Sequence, residues 1–250
     1  MRSFRWAYSG FLIALAATYG FAGESRSVSY MVDGKQYEGY FFDAGKKSPF
    51  ILLVHDWDGL GDYEMKRSRM LSKIGYSVFA TDLFGAGIRP SKMEDRQKLT
   101  GELYSDRKKM RALLHGALEE ARNHGADITN SVAIGYCFGG AAVLELARSG
   151  EQLKGFVAFH GGLETPAGQD YSGTKGTILV LHGSADKAVP INQFAALAQK
   201  LESGGIAHEM ILYGGADHAF TVFGGERYNE NADLKSWQRF ISFLEETLEK

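Results

Sequence analysis

Six short runs of apolar residues constrain the fold of this chain most strongly. Each run is continuous rather than alternating, which is typical of strands buried on both faces of a parallel sheet. Segments with helical periodicity lie between the runs, and this alternation predicts an α/β fold: a doubly wound, mostly parallel sheet with helices on both faces. The apolar runs are FILLVH (50–55), SVFATD (77–82), SVAIGY (131–136), GFVAFH (155–160), TILVLH (177–182) and HEMILY (208–213). The helical patterns lie at about 62–74, 91–123 (two helices), 138–149, 190–203 and 232–249.

An alternating pattern precedes the first buried run. The segments SVSYMV (27–32) and YEGYFF (37–42) flank Asp33-Gly34, a pair typical of a two-residue hairpin turn. No internal repeat, low-complexity tract or Pro-rich linker divides the rest of the sequence. We therefore expect residues 23–250 to form a single domain.

The N-terminus has the layout of a secretory signal peptide. Arg2 and Arg5 precede an apolar run (11–17), and small and polar residues follow it. Cleavage after Ala22 would make residues 1–22 the signal peptide. The apolar run is much shorter than the roughly 20 residues that span a bilayer. We expect a secreted protein, most plausibly of a bacterial periplasm, with no stable membrane association after cleavage.

The charge balance gives no case for nucleic-acid binding. The 250 residues carry a formal net charge of -2, and the pI is about 6.4. The densest basic cluster, at 107–111, has the character of a solvated helix face, so it does not indicate a basic binding surface. A monomer that binds a small molecule is expected.

The only cysteine of the chain, Cys137, follows the run SVAIGY and precedes an apolar, Ala-rich helical pattern. The pattern Gly135-x-Cys137-x-Gly139 matches a nucleophile elbow with Cys in place of Ser. Glycines are needed beside such a turn because a Cβ there would collide with the neighbouring strand or helix. The N-terminus of the helix favours the thiolate over the thiol. The alternative is a buried structural cysteine, and a lone cysteine has no intramolecular disulfide partner.

Two later strand ends carry residues that fit a catalytic role. Asp186 lies in the turn after TILVLH, and His218 lies in the loop after HEMILY. Functional groups of α/β sheets collect beyond the carboxyl ends of the strands. The order Cys137, Asp186, His218 is the order of nucleophile, acid and histidine in the α/β-hydrolase fold.

The sequence resembles the dienelactone hydrolase family across nearly the whole mature region. GYCFGG (135–140) is similar to the elbow of that family, and HGSAD (182–186) and DHAF (217–220) are similar to its acid and histidine segments. HDWDGLGDY (55–63) and TDLFG (81–85) resemble two further family segments. The resemblance implies an α/β-hydrolase that cleaves a small ester or lactone and needs no cofactor.

The sequence departs from the family pattern at two points. The resemblance implies that Asp56 modulates the thiol, but the family usually has Glu at this position, which is one methylene longer. Family members that cleave dienelactone bind the substrate carboxylate with two arginines, and neither is matched here. Gly85-Ala86 and Thr221-Val222-Phe223 stand at those positions, although Arg89 is near enough in sequence to substitute for one of them.

The mechanism that these residues imply is acyl transfer through a thioester. His218, oriented by Asp186, would ionise Cys137 for attack on a carbonyl carbon. The backbone N–H groups of Trp57 and Phe138 are the candidate oxyanion hole, and each such donor typically lowers the barrier by about 3 kcal/mol. The segment after His160 is too short for a lid domain, so an open pocket is expected. Its candidate lining residues are Trp57, Phe84, Phe220 and His160; the alternative is that the aromatic residues belong to the core.

Three other interpretations stay open at this point. Four histidines (His55, His160, His182 and His218) end strands or lie in the last loop, but their spacing is not that of metal ligands, and we expect no metal site. A non-catalytic small-molecule-binding protein on the same fold is the main alternative, because a fold does not fix a function. A thiol redox protein would lack a second cysteine to resolve a disulfide.

Overall fold

One eight-stranded sheet runs through residues 25–249, the part of the chain that the computed structural model describes. The strand order is β1-β2-β4-β3-β5-β6-β7-β8. The pairs β1–β2 and β2–β4 are antiparallel, and every other neighbouring pair is parallel, so the predicted mostly parallel sheet is confirmed. The strands are β1 (Ser25–Val32), β2 (Lys35–Phe42), β3 (Pro49–Val54), β4 (Ser77–Thr81), β5 (Asp127–Tyr136), β6 (Gly155–Phe159), β7 (Thr177–Gly183) and β8 (His208–Tyr213). The predicted signal peptide, residues 1–22, lies outside the described residues.

Helices cover both faces of the sheet, as the sequence predicts. Alternate residues of a strand point to opposite faces, and in β3 Leu52 lies in one core cluster whereas Leu53 lies in the other. Helices α1 and α6 pack against the Leu53 face, and α3, α4 and α5 pack against the Leu52 face. The helices are α1 (Asp62–Lys73), α2 (Met93–Ser105), α3 (Arg107–Asn123), α4 (Phe138–Arg148), α5 (Ile191–Ser203) and α6 (Glu230–Thr247).

The turn between β1 and β2 is the predicted two-residue hairpin. Asp33 and Gly34 both have positive φ, 47° and 76°. Two successive residues of this kind are characteristic of a type I′ turn, whose twist matches that of the flanking strands. The residues on either side, Val32 and Lys35, are the last pair of the ladder.

The connectivity of the sheet places a crevice at the ends of β3 and β5. From β3 the chain passes to β4 on one side of it and later returns to β5 on the other side. A ligand site is expected at such a reversal, outside the carboxyl ends of the two strands. Asp56 and Trp57 follow β3 and Cys137 follows β5, so the chain delivers candidate site residues to this crevice.

The crevice has no additional domain above it in the described chain. Residues 160–176, which connect β6 to β7, contain no helix or strand, which agrees with the predicted absence of a lid domain. Between residues 25 and 249, none of the helices combines the length and the apolar character that a bilayer crossing requires.

Candidate active site

Cys137 lies on a sharp, strained turn between β5 and α4. Its backbone has φ 51° and ψ -114°, a conformation that residues other than glycine rarely adopt. The backbone N–H of Cys137 donates to the carbonyl oxygen of Phe159 at 3.0 Å, which ties the turn to β6. Strain of this kind persists where the surroundings over-determine the backbone, and it concentrates at functional sites.

The glycines beside Cys137 allow strand and helix to approach closely. A Cβ on Gly135 would lie 2.2 Å from the carbonyl carbon of Gly139, and a Cβ on Gly139 would lie 2.3 Å from the carbonyl oxygen of Val54. Both contacts are with backbone atoms, which cannot move aside without moving a strand or a helix. The spacing of the elbow motif therefore has the steric cause that the sequence suggests.

The three predicted catalytic residues form one hydrogen-bonded chain. The Sγ atom of Cys137 lies 3.1 Å from Nε2 of His218, and Nδ1 of His218 lies 2.8 Å from Oδ2 of Asp186. The other carboxylate oxygen of Asp186 accepts the backbone N–H groups of Ala188 and Val189 at 2.9 and 2.8 Å. Because Asp186 accepts from Nδ1–H, the free Nε2 of His218 faces the sulfur and can take its proton.

The contacts along this chain shift the pKa values of His218 and Asp186 in opposite directions. Burial by itself would lower the pKa of His218, but the hydrogen bond to Asp186 and the interaction with Cys137 outweigh it and raise that pKa to about 10. Burial likewise opposes ionisation of Asp186, but the hydrogen bond from His218 and the amide of Val189 lower the pKa of this carboxyl. The arrangement favours imidazolium beside sulfur and carboxylate beside imidazolium.

A pocket of about 250 Å³ opens at Cys137 and His218. Its walls are mostly apolar, which suits a small organic ligand with a few polar anchoring groups. Of the residues predicted to form the site, those on the wall are Asp56, Trp57, Cys137, Phe138 and His218. The remaining wall residues are Tyr104, Gly162, Ala188, Val189, Ala219 and Arg227.

The other three residues predicted to line the pocket lie behind its wall. Phe84 is buried against the rings of His55 and Phe138, with ring centroids 4.6 and 5.6 Å apart. His160 and Phe220 are fully buried, and their rings pack edge to face at 5.4 Å. All three side chains belong to the core, as the alternative interpretation of these aromatic residues has it.

The proposed oxyanion-hole amides lie where the prediction puts them along the chain. Phe138 is the first residue of α4, where a helix leaves its N–H groups unpaired. Among residues 25–249, neither the N–H of Trp57 nor that of Phe138 has an acceptor. Both residues line the pocket, and their role as oxyanion donors stays a prediction.

Asp56 is a buried acid in the pocket wall. Its Oδ1 accepts the N–H of Asp58 at 2.9 Å, and its own N–H donates to Oε1 of Glu64 at 3.4 Å. Burial, followed by the neighbouring acids Asp58 and Glu64, raises the pKa of Asp56 to about 10. The carboxyl is therefore protonated at neutral pH, and its influence on Cys137 stays a prediction.

Arg89 does not line the pocket. Its guanidinium is engaged by Glu38 at 2.7 Å and by the carbonyl oxygens of Ile88 and Leu60. Arg227 instead lies on the pocket wall, and within the described chain it has no hydrogen-bond or ion-pair partner. Sequence reasoning missed Arg227 because it lies further along the His218 loop, and only the path of that loop brings it to the pocket.

The remaining strand-end histidines have partners other than a metal. Nε2 of His55 accepts the N–H of Leu83 at 3.0 Å, and Nε2 of His182 lies 2.8 Å from the carbonyl oxygen of Val189. No group of three or more His, Cys, Asp or Glu residues within 25–249 is arranged to hold a metal ion.

A mostly parallel sheet with a nucleophile elbow after β5, an acid after β7 and a histidine after β8 defines an α/β-hydrolase. Comparison with known proteins gives the family. The model of the dienelactone hydrolase family matches residues 38–248. The chain belongs to the dienelactone hydrolase family, and this membership makes it a hydrolase of ester bonds.

Individual relatives agree with the family assignment. A protein of Escherichia coli (strain K12), provisionally named a carboxymethylenebutenolidase, is 26% identical in an alignment of 209 residues that covers 79% of this chain and 77% of the relative. The solved structure named m3DLH superposes with a TM-score of 0.85 at 30% identity and covers 90% of this chain and 99% of its own. A dienelactone hydrolase-like promiscuous phosphotriesterase from metagenomic libraries gives a TM-score of 0.84 at 29% identity, with coverage of 91% and 100%.

Proposed function

We propose that this protein is an exported hydrolase that cleaves a small ester, thioester or lactone by Cys-His-Asp catalysis. The observation that carries the proposal is the continuous hydrogen-bonded chain from Cys137 through His218 to Asp186. It ends at a pocket whose wall includes Cys137 and His218. A structural cysteine would need neither the strained backbone at Cys137 nor an aligned imidazole.

In the first half-reaction, the thiolate of Cys137 attacks the carbonyl carbon, and the carbonyl oxygen becomes an oxyanion. The N–H groups of Trp57 and Phe138 would stabilise that charge as the oxyanion hole. When the tetrahedral intermediate collapses, the carbon–oxygen bond to the leaving group breaks. The imidazolium of His218 gives its Nε2 proton to the departing alkoxide, and a thioester on Cys137 remains.

In the second half-reaction, His218 takes a proton from water. The resulting hydroxide attacks the thioester carbon, and the carbon–sulfur bond breaks to release a carboxylic acid and the thiolate. Asp186 keeps His218 oriented throughout and stabilises its imidazolium form. The sum is one ester and one water converted to one acid and one alcohol, and no cofactor takes part.

The pocket suits a compact substrate. A volume of about 250 Å³ is below the usual range for drug-sized ligands. The side chain of Arg227, exposed and without an ion-pair partner in the described chain, favours a substrate with a negatively charged group. We further propose that the chain acts as an exported monomer, in a bacterial periplasm; the signal-like sequence of residues 1–22 supports the export.

Turnover of two p-nitrophenyl esters by the purified protein tests the proposal. One ester is neutral (the acetate) and the other carries a carboxylate (the hemisuccinate). We expect hydrolysis with a burst of p-nitrophenol, and a loss of at least about 1,000-fold in kcat/KM in Cys137→Ala and in His218→Ala. His115→Ala is the matched control, because this histidine is half-exposed on α3 and pairs with Glu151. Activity that survives both active-site substitutions would exclude the proposed mechanism.

Two other outcomes have a defined meaning. Hydrolysis of a diethyl aryl phosphate with the same dependence on Cys137 would add phosphotriesters to the substrates, a candidate supported by the similarity to the phosphotriesterase described above. Tight binding of small acids without turnover of any ester would favour a non-catalytic binding protein on this fold.

A further inference from the structure

His160 is a fully buried histidine that the proposed reaction does not use. It directly follows β6, and its backbone N–H donates to the carbonyl oxygen of Leu181 at 2.9 Å. Its ring packs edge to face against the ring of His218, with centroids 5.3 Å apart and an interplanar angle of 65°. Burial, together with the nearby His218 and His182, holds the pKa of His160 well below its usual range. The neutral form of the ring is therefore favoured at this position.

A chain of buried hydrogen bonds fixes this ring. Nε2 of His160 lies 2.8 Å from Oγ1 of Thr221, and the same Oγ1 lies 2.6 Å from the hydroxyl of Tyr63. The Nε of Arg67 donates to the Tyr63 hydroxyl at 3.2 Å, and its Nη2 donates to the carbonyl oxygen of Thr221 at 3.0 Å. His160 and Thr221 are completely buried.

The loop that carries His218 is thus held at two points by one residue. The ring of His160 contacts His218 itself, and its Nε2 bonds Thr221 three residues later in the same loop. The residue that follows His218, Ala219, has φ 61°, and His160 has φ 39°. Both are non-glycine residues in the left-handed region, where the surrounding contacts must hold the backbone.

We propose that His160 is a positioning residue for His218. Its neutral ring, locked by Thr221, forms the surface against which the His218 imidazole packs, and so keeps Nε2 of His218 in line with the Cys137 sulfur. This role rests on the proposed function of the site. A neutral ring serves this purpose because it does not repel His218 when His218 carries its proton. A displacement of about 1 Å in such a pair can lower a rate by about 100-fold.

Three substitutions separate positioning from general stability. Thr221→Val removes the hydroxyl and keeps the side-chain shape, and Thr221→Ser restores the hydroxyl. His160→Phe keeps a ring and removes Nε2. Val157→Ala, in the buried strand β6 three residues before His160, is the control for a loss of stability alone. None of these variants replaces the other ionisable groups around His160. These groups are His218, His182 and Tyr136 and, through Thr221, Tyr63 and Arg67.

The readouts are kcat and KM for the p-nitrophenyl ester and the rate of alkylation of Cys137 by iodoacetamide from pH 5 to 10. The wild-type profile, with Nε2 of His218 at 3.1 Å from the sulfur of Cys137, is the reference. Thr221→Val and His160→Phe should lower kcat by about 10- to 100-fold, with KM changed by less than about 3-fold. They should also shift rapid alkylation to higher pH, whereas Thr221→Ser and Val157→Ala should keep the wild-type alkylation profile.

An unchanged alkylation profile in Thr221→Val would overturn the positioning role, and so would an equal shift in Val157→Ala. Thr221→Val tests the positioning role even if His160→Phe does not fold. The alkylation assay needs no ester substrate, so the positioning role and the proposed hydrolase function can be contradicted independently of each other. If the wild type hydrolyses no ester but its Cys137 alkylation profile still depends on Thr221, the proposed function is contradicted and the positioning role of His160 is supported.

Discussion

At the scale of single residues, Asp56 is a group whose ionisation the fold opposes. Its carboxyl is almost completely buried beside Asp58 and Glu64. Burial also raises the pKa of Glu64 to about 7, even though this carboxylate accepts two backbone N–H groups. Where the family usually has Glu, this chain therefore holds a shorter acid in its neutral form. A neutral acid on the pocket wall can donate a hydrogen bond but cannot repel a thiolate.

The raised pKa of Asp56 predicts how stability depends on pH. The unfolded chain loses this proton near pH 4, while the folded protein keeps it up to about pH 10, so this carboxyl reduces stability progressively as the pH rises between these values. Asp56→Asn keeps the oxygen that accepts from Asp58 and removes the titration. We expect Asp56→Asn to raise the free energy of unfolding by at least about 2 kcal/mol at pH 8, and Tm by at least about 4 °C.

Thermal unfolding of the wild type and of Asp56→Asn at pH 5 and pH 8 measures the difference in their stability, which should be clearly smaller at pH 5. Asp43→Asn is the matched control. Asp43 is exposed, and Asn would keep the oxygen that accepts from Gly45. An Asp56→Asn advantage that stays constant or shrinks with rising pH would contradict the protonated state of Asp56.

At the scale of elements, the elbow between β5 and α4 depends on the close approach of Gly139 to β3. Gly139→Ala would place a methyl group 2.3 Å from the carbonyl oxygen of Val54. Backbone atoms cannot rotate away, so we expect a loss of at least about 2 kcal/mol in the free energy of unfolding, with a displaced Cys137.

Gly101→Ala in α2 is the matched control for Gly139→Ala. No atom lies within 4 Å of a Cβ at Gly101, so alanine should stabilise that helix by about 0.5–1 kcal/mol. Guanidinium denaturation of the two variants should therefore move the midpoint in opposite directions.

Most helices and strands, and the order of the candidate catalytic residues, could be predicted from the sequence. All eight strands and all six described helices coincide with predicted segments to within a few residues at each end, because buried strands and amphipathic helices leave local patterns. The order of nucleophile, acid and histidine is equally local, since each residue lies within a few residues of the end of its own strand. The directions of Phe84, Phe220 and His160 could not be predicted, because a residue beyond a strand end can turn outward or inward. Arg227 and Tyr104 reach the pocket through the packing of a loop and a helix, which no spacing in the sequence records.

At the scale of the whole molecule, Arg67 joins parts of the chain that are far apart in sequence. This α1 residue is 1% exposed, it forms an ion pair with Asp233 of α6, and it donates to Thr221 in the His218 loop. Its guanidinium also lies over the rings of Phe223 and Trp237, at 4.3 and 4.8 Å from the centroids. One buried cation thus connects the first helix, the last helix and the loop of the active site. A buried ion pair of this kind makes each partner costly to remove alone.

We expect Arg67→Met to lower the free energy of unfolding by about 3–5 kcal/mol, because it leaves Asp233 buried without its counter-ion. The double variant Arg67→Met/Asp233→Leu removes both charges and should recover much of that loss, since a desolvated pair contributes little beyond an apolar replacement.

Arg122→Met is the matched control: Arg122 pairs with Glu119 on the surface of α3, where such a pair contributes less than about 1 kcal/mol. Denaturation in guanidinium chloride of these three variants and of the single variant Asp233→Leu gives the free energies. Losses in the double variant that equal the sum of the two single variants would show that Arg67 acts through Thr221 and the aromatic rings rather than through Asp233. In either case the loop of His218 loses an anchor, so the double variant should remain less active than the wild type even where its stability is restored.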